Sequence, residues 1–304
     1  MINFIRNGYG TVVDVFLESI LKELGEDEYI ISTEAKDNMV NVIFFTEDSI
    51  YKNIKANKIK GINVFMTHGI ADKNWRTAEK IGKFDYVFQT GDLWAEKLIS
   101  QGLPSKKILI NGYTRLDGIY NKRNTYEKKC KDKRTILFAP THTSMMSTYG
   151  KYDDIIEILK KKYNVIVCPH PSNRKNSEVT GDEFLEADVI CGDFGSSMYE
   201  GWTLNKPCVF GDWIMKEPIC RMFRGSFEDY IYTNKIGRHA NNEDEFIQLI
   251  EDAVANGITK EEVNLIDGIF NKELRGNSGK ITASHLRKLV KELRCLVFIS
   301  RQTI

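Results

Sequence analysis

The sequence predicts an α/β protein of two domains, each a parallel sheet wound with helices, the two sheets facing a central cleft. Three observations predict this class. Short apolar runs alternate with helical patterns from one end of the chain to the other. Most of the runs carry Val, Ile or Phe without strict polar alternation, as strands covered on both faces do. A basic stretch without apolar periodicity, at 120–134, divides the runs into two series.

The first series is INFI (2–5), YIIS (29–32), NVIFF (41–45), INVFM (62–66), DYVFQ (85–89) and KILI (107–110). Between the first two runs, Val13, Phe16, Leu17, Ile20, Leu21 and Leu24 share one side of a helix over 12–24. A second helix is predicted at 92–101. The dividing stretch, YNKRNTYEKKCKDKR, holds seven Lys/Arg against two Asp/Glu, which suits a solvated linker or a basic arm for phosphate polymers. The second series is TILFA (135–139), NVIVC (164–168), DVIC (188–191) and PCVF (207–210), with helices expected at 152–162, 197–204, 244–255 and 281–298. The expected organisation is therefore one α/β domain over 1–119, a linker over 120–134 and a second α/β domain over 135–280. A final helix over 281–304 is expected to pack back on the first domain. No internal repeat interrupts this pattern.

Composition excludes several classes. The chain has 304 residues, 42% apolar and 28% charged, enough to fill two medium cores. A formal net charge of +1 gives no global field toward nucleic acid or membrane. No pair of the six cysteines has the C-x-x-C spacing of a zinc or redox site. Cys168, Cys191 and Cys208 end apolar runs, as small buried hydrophobes do, and reduced thiols in a cytoplasmic protein are expected. The first residues lack the apolar core of a signal peptide, and no run reaches the roughly 18 apolar residues of a membrane span.

In open parallel sheets, ligands bind beyond the carboxyl ends of the strands, so the residues following each run are the candidates. Thr67, His68 and Gly69 follow INVFM. A histidine there suits a general base, or is satisfied by a backbone carbonyl in a tight turn. Gly112, Arg115 and Asp117 follow KILI, with Arg115 and Asp117 spaced for an ion pair opening a helix. Pro140, Thr141, His142, Thr143 and Ser144 follow TILFA, where hydroxyls and amides can cradle an anion. Two prolines hold His170 in the loop after NVIVC.

After DVIC, Asp193 is placed to accept from a ribose or a loop amide, and Gly195 allows a close turn. Ser196 and Ser197 stand at the cap or first turn of the next helix, where dipole, amides and hydroxyls make an anion site. Arg221 and Arg224 are suited to a diphosphate. The Gly8–Gly10 loop after the first strand is a further candidate, its glycines allowing close backbone approach. Neither a strand-end D-x-D pair nor a His/Cys cluster is present, so no metal is expected.

Taken in order, HG at 68–69, NGYTRLDGIY at 111–120, APTH at 139–142, HP at 170–171, GDFGSS at 192–197, NKPCVF at 205–210 and RGSFEDY at 224–230 carry a resemblance. They resemble the CDP-glycerol glycerophosphotransferase family, the teichoic-acid primases and polymerases, over roughly residues 60–290. The resemblance implies a GT-B fold, two Rossmann-like domains facing a cleft, shared with nucleotide-sugar transferases and 2-epimerases. It implies His68 as the base that deprotonates the acceptor. His170, Ser196 and Ser197 would hold the donor's pyrophosphate, with Thr141 and His142 near the phosphates and Arg224 assisting with charge. Asp193 and Gly195 fall in the same donor loop, and Gly8, Gly10 and Arg115 lie on the acceptor side.

The chain departs from the family pattern at Thr143, where an arginine is usual, and in Phe194-Gly195-Ser196-Ser197. It departs again at Ile70-Ala71-Asp72-Lys73, which replaces a proline-containing run. The expected function is metal-independent transfer of a glycerophosphate-like or glycosyl group. The donor is a CDP- or UDP-linked nucleotide, the acceptor a polymer hydroxyl, and no cofactor is needed besides the donor. Two other readings fit the residues: a phage-type glycosyltransferase acting on hydroxymethylated bases of DNA, and a non-catalytic nucleotide-binding module.

Overall fold

A computed structural model describes residues 1–6, 10–45, 49–56, 58–74, 76–141, 147–170 and 181–302, apart from the side chains of 10–12, 49, 50, 55 and 297–302. The chain forms two compact units. One comprises residues 1–70, 75–118 and 268–304, and the other 71–74 and 119–267.

The first unit is a parallel sheet with strands β1 (Ile2–Ile5), β2 (Tyr29–Ser32), β3 (Met39–Ile43), β4 (Gly61–Phe65), β5 (Tyr86–Gln89) and β6 (Ile108–Ile110). The spatial order is β2-β1-β3-β4-β5-β6. Helices α1 (Gly10–Leu21), α2 (Ser49–Lys55), α3 (Ala78–Ile81) and α4 (Asp92–Ser100) connect the strands. One core joins Ile43, Phe65, Ile81, Phe84, Val87 and Leu98. Three buried asparagines run across the sheet in register. Asn3 Nδ2 donates to Asn41 Oδ1 at 2.9 Å, and Asn41 Nδ2 donates to Asn63 Oδ1 at 3.1 Å. A one-residue slip of β3 would break both bonds and leave buried amides without their partners, so the ladder helps fix the register.

The second unit has strands β7 (Thr135–Phe138), β8 (Asn164–Val167), β9 (Val189–Cys191), β10 (Cys208–Gly211) and β11 (Arg238–Ala240). Their order is β11-β10-β9-β7-β8, again all parallel. Its helices are α6 (Asp153–Lys160), α7 (Asp182–Glu186), α8 (Ser196–Thr203), α9 (Asp212–Met222), α10 (Phe227–Asn234) and α11 (Glu243–Asn256). Helices α5 (Asp117–Lys122) and α12 (Lys260–Ile269) lie where the chain passes between units, and α13 (Ser278–Gln302) completes the first unit. There α13 packs along α1. The Asp117 carboxylate accepts from the Ser278 and Gly279 amides at 3.1 and 2.7 Å, capping α13.

The division differs from the expected one in three places. Residues 268–280 join the first unit, because Thr90 Oγ1 donates to Ile269 O and Asn271 Oδ1 accepts from the Asp92 amide. The basic stretch 120–134 lies within the second unit. Glu186 accepts from the Lys129 and Cys130 amides and from Tyr126, while Lys128 and Arg134 pair with Asp188. Residues 71–74 also belong to the second unit although residues of the first flank them.

All six cysteines are free; Cys191 and Cys208 are buried, and Cys168 is half-buried. Among the described residues, no helix is long and apolar enough to cross a membrane.

Candidate functional site

In each sheet the strand order reverses beside its first strand, and that reversal leaves a crevice at the carboxyl ends where ligands bind. In the first unit the reversal lies between β1 and β3. The β1 loop holds Gly8, outside the described residues, and ends at Gly10, the first residue of α1. Beyond β3 come Phe44 and Phe45, and these two residues set the state of His68. The His68 ring stacks on Phe45 with centroids 4.4 Å apart, and Nδ1 lies 3.1 Å from the Phe44 carbonyl oxygen.

A carbonyl only accepts, so Nδ1 carries the proton and donates, and in the neutral ring Nε2 is the basic nitrogen. Thr67 Oγ1 closes the turn, donating to Gly69 O at 2.6 Å and accepting from the Gly69 amide. The backbone-carbonyl partner expected for a merely structural histidine is present, and the same bond selects the tautomer a base needs.

Farther along that sheet edge, Arg115 is half-buried in a 3₁₀ turn over Thr114–Leu116. The expected Arg115–Asp117 ion pair at a helix start is replaced by a longer-range bond: Asp117 is buried and caps α13. Burial pushes its carboxyl up, and the Gly279 and Ser278 amides oppose the shift.

In the second unit the reversal lies between β7 and β9, which puts Thr141 and residues 192–197 at the crevice. Asp193 organises the loop. It is fully buried, and its Oδ2 accepts from the Thr141 amide at 2.9 Å and the Thr148 amide at 3.2 Å. Its Oδ1 accepts from the Phe194 amide at 2.7 Å. Of the two partners expected for it, Asp193 therefore takes loop amides, and its role is to hold the loop's shape. Burial pushes its carboxyl up, and these amides pull it back. Tyr232 donates its hydroxyl to the Asp193 carbonyl at 2.8 Å.

The helix that follows begins on a glycine. Gly195 is the N-cap of α8 in extended conformation, so no side chain caps the first amides. A methyl at Gly195 would sit 2.8 Å from Thr141 Cγ2. Ser196 and Ser197 are half-buried in the first turn, and Ser197 Oγ donates to the Ala139 carbonyl at 3.1 Å. A cavity of about 520 Å³ shares Thr148 with this cluster and is lined also by Phe138, Pro140, Tyr149 and Tyr152.

The remaining candidates are placed differently. His170 is exposed beyond the edge strand β8, which β7 separates from β9. His142 lies outside the described residues. Arg221 lies in the last turn of α9 and forms an exposed pair with Glu217 at 3.1 Å, so its charge is engaged locally. Arg224 occupies the exposed turn before α10. Sequence reasoning missed Lys73 and Glu228, which meet near the Asp193 loop. Lys73 stood in the run that departs from the family pattern and Glu228 in the RGSFEDY motif, but neither had been given a role. Among the described residues no group of three or more His, Cys, Asp or Glu is placed to hold a metal ion.

Two doubly wound parallel sheets, one per unit, are the fold of the GT-B class. Residues 77–279 match the model of the CDP-Glycerol:Poly(glycerophosphate) glycerophosphotransferase family, and the chain belongs to that family. It is a transferase that uses a nucleotide-linked donor. A variant of the wall teichoic acid polymerase TagF is similar in structure, with a TM-score of 0.61 at 15% identity over 96% of this chain and 89% of the other. The same polymerase soaked with CDPG aligns with a TM-score of 0.57 at 14% identity, covering 96% and 88%. The S. aureus MnaA–UDP co-structure aligns with a TM-score of 0.60 at 12% identity, covering 95% and 96%. No curated protein sequence matches the chain.

Proposed function

We propose that the protein transfers a glycerophosphate-like group from a CDP-linked donor to a hydroxyl of a polymeric acceptor, without a metal. The observation that carries the reading is the 3.1 Å contact of His68 Nδ1 with the Phe44 carbonyl oxygen, which makes Nε2 the basic nitrogen of the neutral ring. The acceptor hydroxyl gives its proton to Nε2 as its oxygen attacks the donor's β-phosphorus. The bond from that phosphorus to the bridging oxygen breaks, and the oxygen leaves with the nucleoside monophosphate. The first amides of α8 and the Ser196 hydroxyl meet the phosphate charge, and the Ser197 hydroxyl joins them by turning from the Ala139 carbonyl. The family resemblance adds Thr141, His170 and Arg224, and His142, which lies outside the described residues. The neighbouring cavity has room for the nucleoside. Gly8, Gly10 and Arg115 belong to the acceptor side.

The family description and the CDPG-soaked polymerase support the donor. In the basic stretch 120–134, Lys128 and Arg134 are paired with Asp188 within the second unit. The test supplies CDP-glycerol or UDP-linked sugars with a glycerophosphate polymer and measures the nucleotide released. CMP release is expected, and His68→Ala should lower it about 10²-fold or more while CDP binding persists. UDP release would move the reading to a glycosyl donor. Full activity in His68→Ala would remove the base assignment.

A further inference from the structure

Residues Ala71–Asn74 belong to the second unit, and an exchange of carboxylates with α10 holds them there. Glu228 accepts from the Asp72 amide at 2.9 Å and the Lys73 amide at 2.8 Å. Asp72 returns the bond, its Oδ2 accepting from the Phe227 amide at the start of α10 at 2.9 Å. Tyr199 of α8 donates to Glu228 Oε1 at 2.7 Å, and Asn74 Nδ2 donates to the Arg224 carbonyl at 3.1 Å. The backbone so held is unusual: Lys73 and Asn74 are consecutive non-glycine residues in the left-handed region, at φ 45° and 53°. That conformation is strained for side-chain-bearing residues and persists where surrounding bonds over-determine it.

The consequence is the position of one ammonium. Lys73 Nζ lies 4.3 Å from the centroid of Phe194, the residue before the α8 cap. It makes no hydrogen bond or ion pair with any described residue. The side chain is half-buried, and an ammonium resting on a ring face keeps its donors for an arriving acceptor. Burial pushes its pKa down, with the charges of Glu228 and Asp193 opposing the shift.

We propose that Lys73 is a ligand of the donor's diphosphate, the cation that completes the amide and hydroxyl site at the start of α8. The inference rests on the donor reading above. It gives the Asp72–Glu228 exchange a purpose, since that exchange fixes the backbone from which the ammonium reaches the Asp193 loop. It also adds a full positive charge to a site of amides and hydroxyls, at the place where charge develops on the leaving phosphate.

The test compares CDP and cytidine binding by calorimetry to the full-length wild type, Lys73→Met and Lys73→Arg. Methionine keeps the stem and its contact with Phe194 while removing the charge. CDP affinity is expected to fall about tenfold or more in Lys73→Met, with cytidine affinity unchanged and most CDP affinity kept in Lys73→Arg. Wild-type CDP affinity in Lys73→Met overturns the inference and leaves the donor reading standing, as does equal weakening of CDP and cytidine. A wild-type protein that binds no CDP overturns the donor reading and this inference with it.

Discussion

One carbonyl oxygen decides what His68 can do. Without the bond to Phe44, either ring nitrogen could carry the proton; with it, the basic lone pair sits on Nε2. Gly195 is decisive in a different way, because Thr141 Cγ2 occupies the space where its side chain would be. Gly195→Ala is expected to cost about 1–3 kcal/mol through forced displacement of Thr141 or the loop. CDP affinity should drop with it, as read by thermal unfolding and calorimetry; an alanine variant with native affinity would mean that the close approach is incidental. The residue types of this site were legible at the strand ends. Asp193 was visible as a polar residue in the right loop, but its choice of loop amides depends on Thr141 and Thr148, remote in sequence and folded beside it.

At the scale of elements, the ten predicted runs became strands within two residues of their expected bounds, because apolar runs of that length have few other ways to be buried. β11 was missed. Its residues Arg238, His239 and Ala240 show no apolar run, and the strand is buried through partners, Arg238 on Asp252 and His239 on Asp212. α9 was missed because Pro218 lies inside it, and α10 because its cap, Ser226, falls in a stretch that reads as a loop.

The asparagine ladder was invisible too, since each Asn alone looks like a flaw in an apolar strand. Asn41→Ala leaves Asn3 and Asn63 short of partners in a buried sheet. It is expected to destabilise by about 2–4 kcal/mol, measured by urea unfolding. A loss under about 0.5 kcal/mol would show that water replaces the amide at no cost.

At the scale of the whole molecule, stability responds to pH through groups of opposite sign. The Arg287 guanidinium and the Gly25 amide hold the Glu28 carboxyl down to about 2. A depressed carboxylate contributes stability above its unfolded value and loses it as pH falls toward the folded one. The pair is partly exposed, so the contribution is under about 1 kcal/mol. Glu28→Gln should therefore lower the melting temperature slightly near neutrality, with the gap to wild type closing between about pH 5 and pH 2. A gap that widens on acidification would reverse the assignment. Burial raises the carboxyls of Asp193, Glu228 and Asp117, which contribute in the other direction: their stabilisation is complete at low pH and lost as pH rises through their folded values.

The sequence by itself determined the class of the protein: two parallel sheets, the ends of the ten apolar strands to within two residues, and the hydroxyls, histidines and glycines offered there. Those properties follow from local patterns of burial and turning, which the chain carries in consecutive residues. Only the tertiary structure decided which nitrogen of His68 is basic, that Asp193 and Asp117 serve as struts, and that Lys73 rests on Phe194. Each of those outcomes depends on a partner far away in the chain, and a hydrogen bond or a desolvated charge has no sequence signature until folding brings its other half within reach.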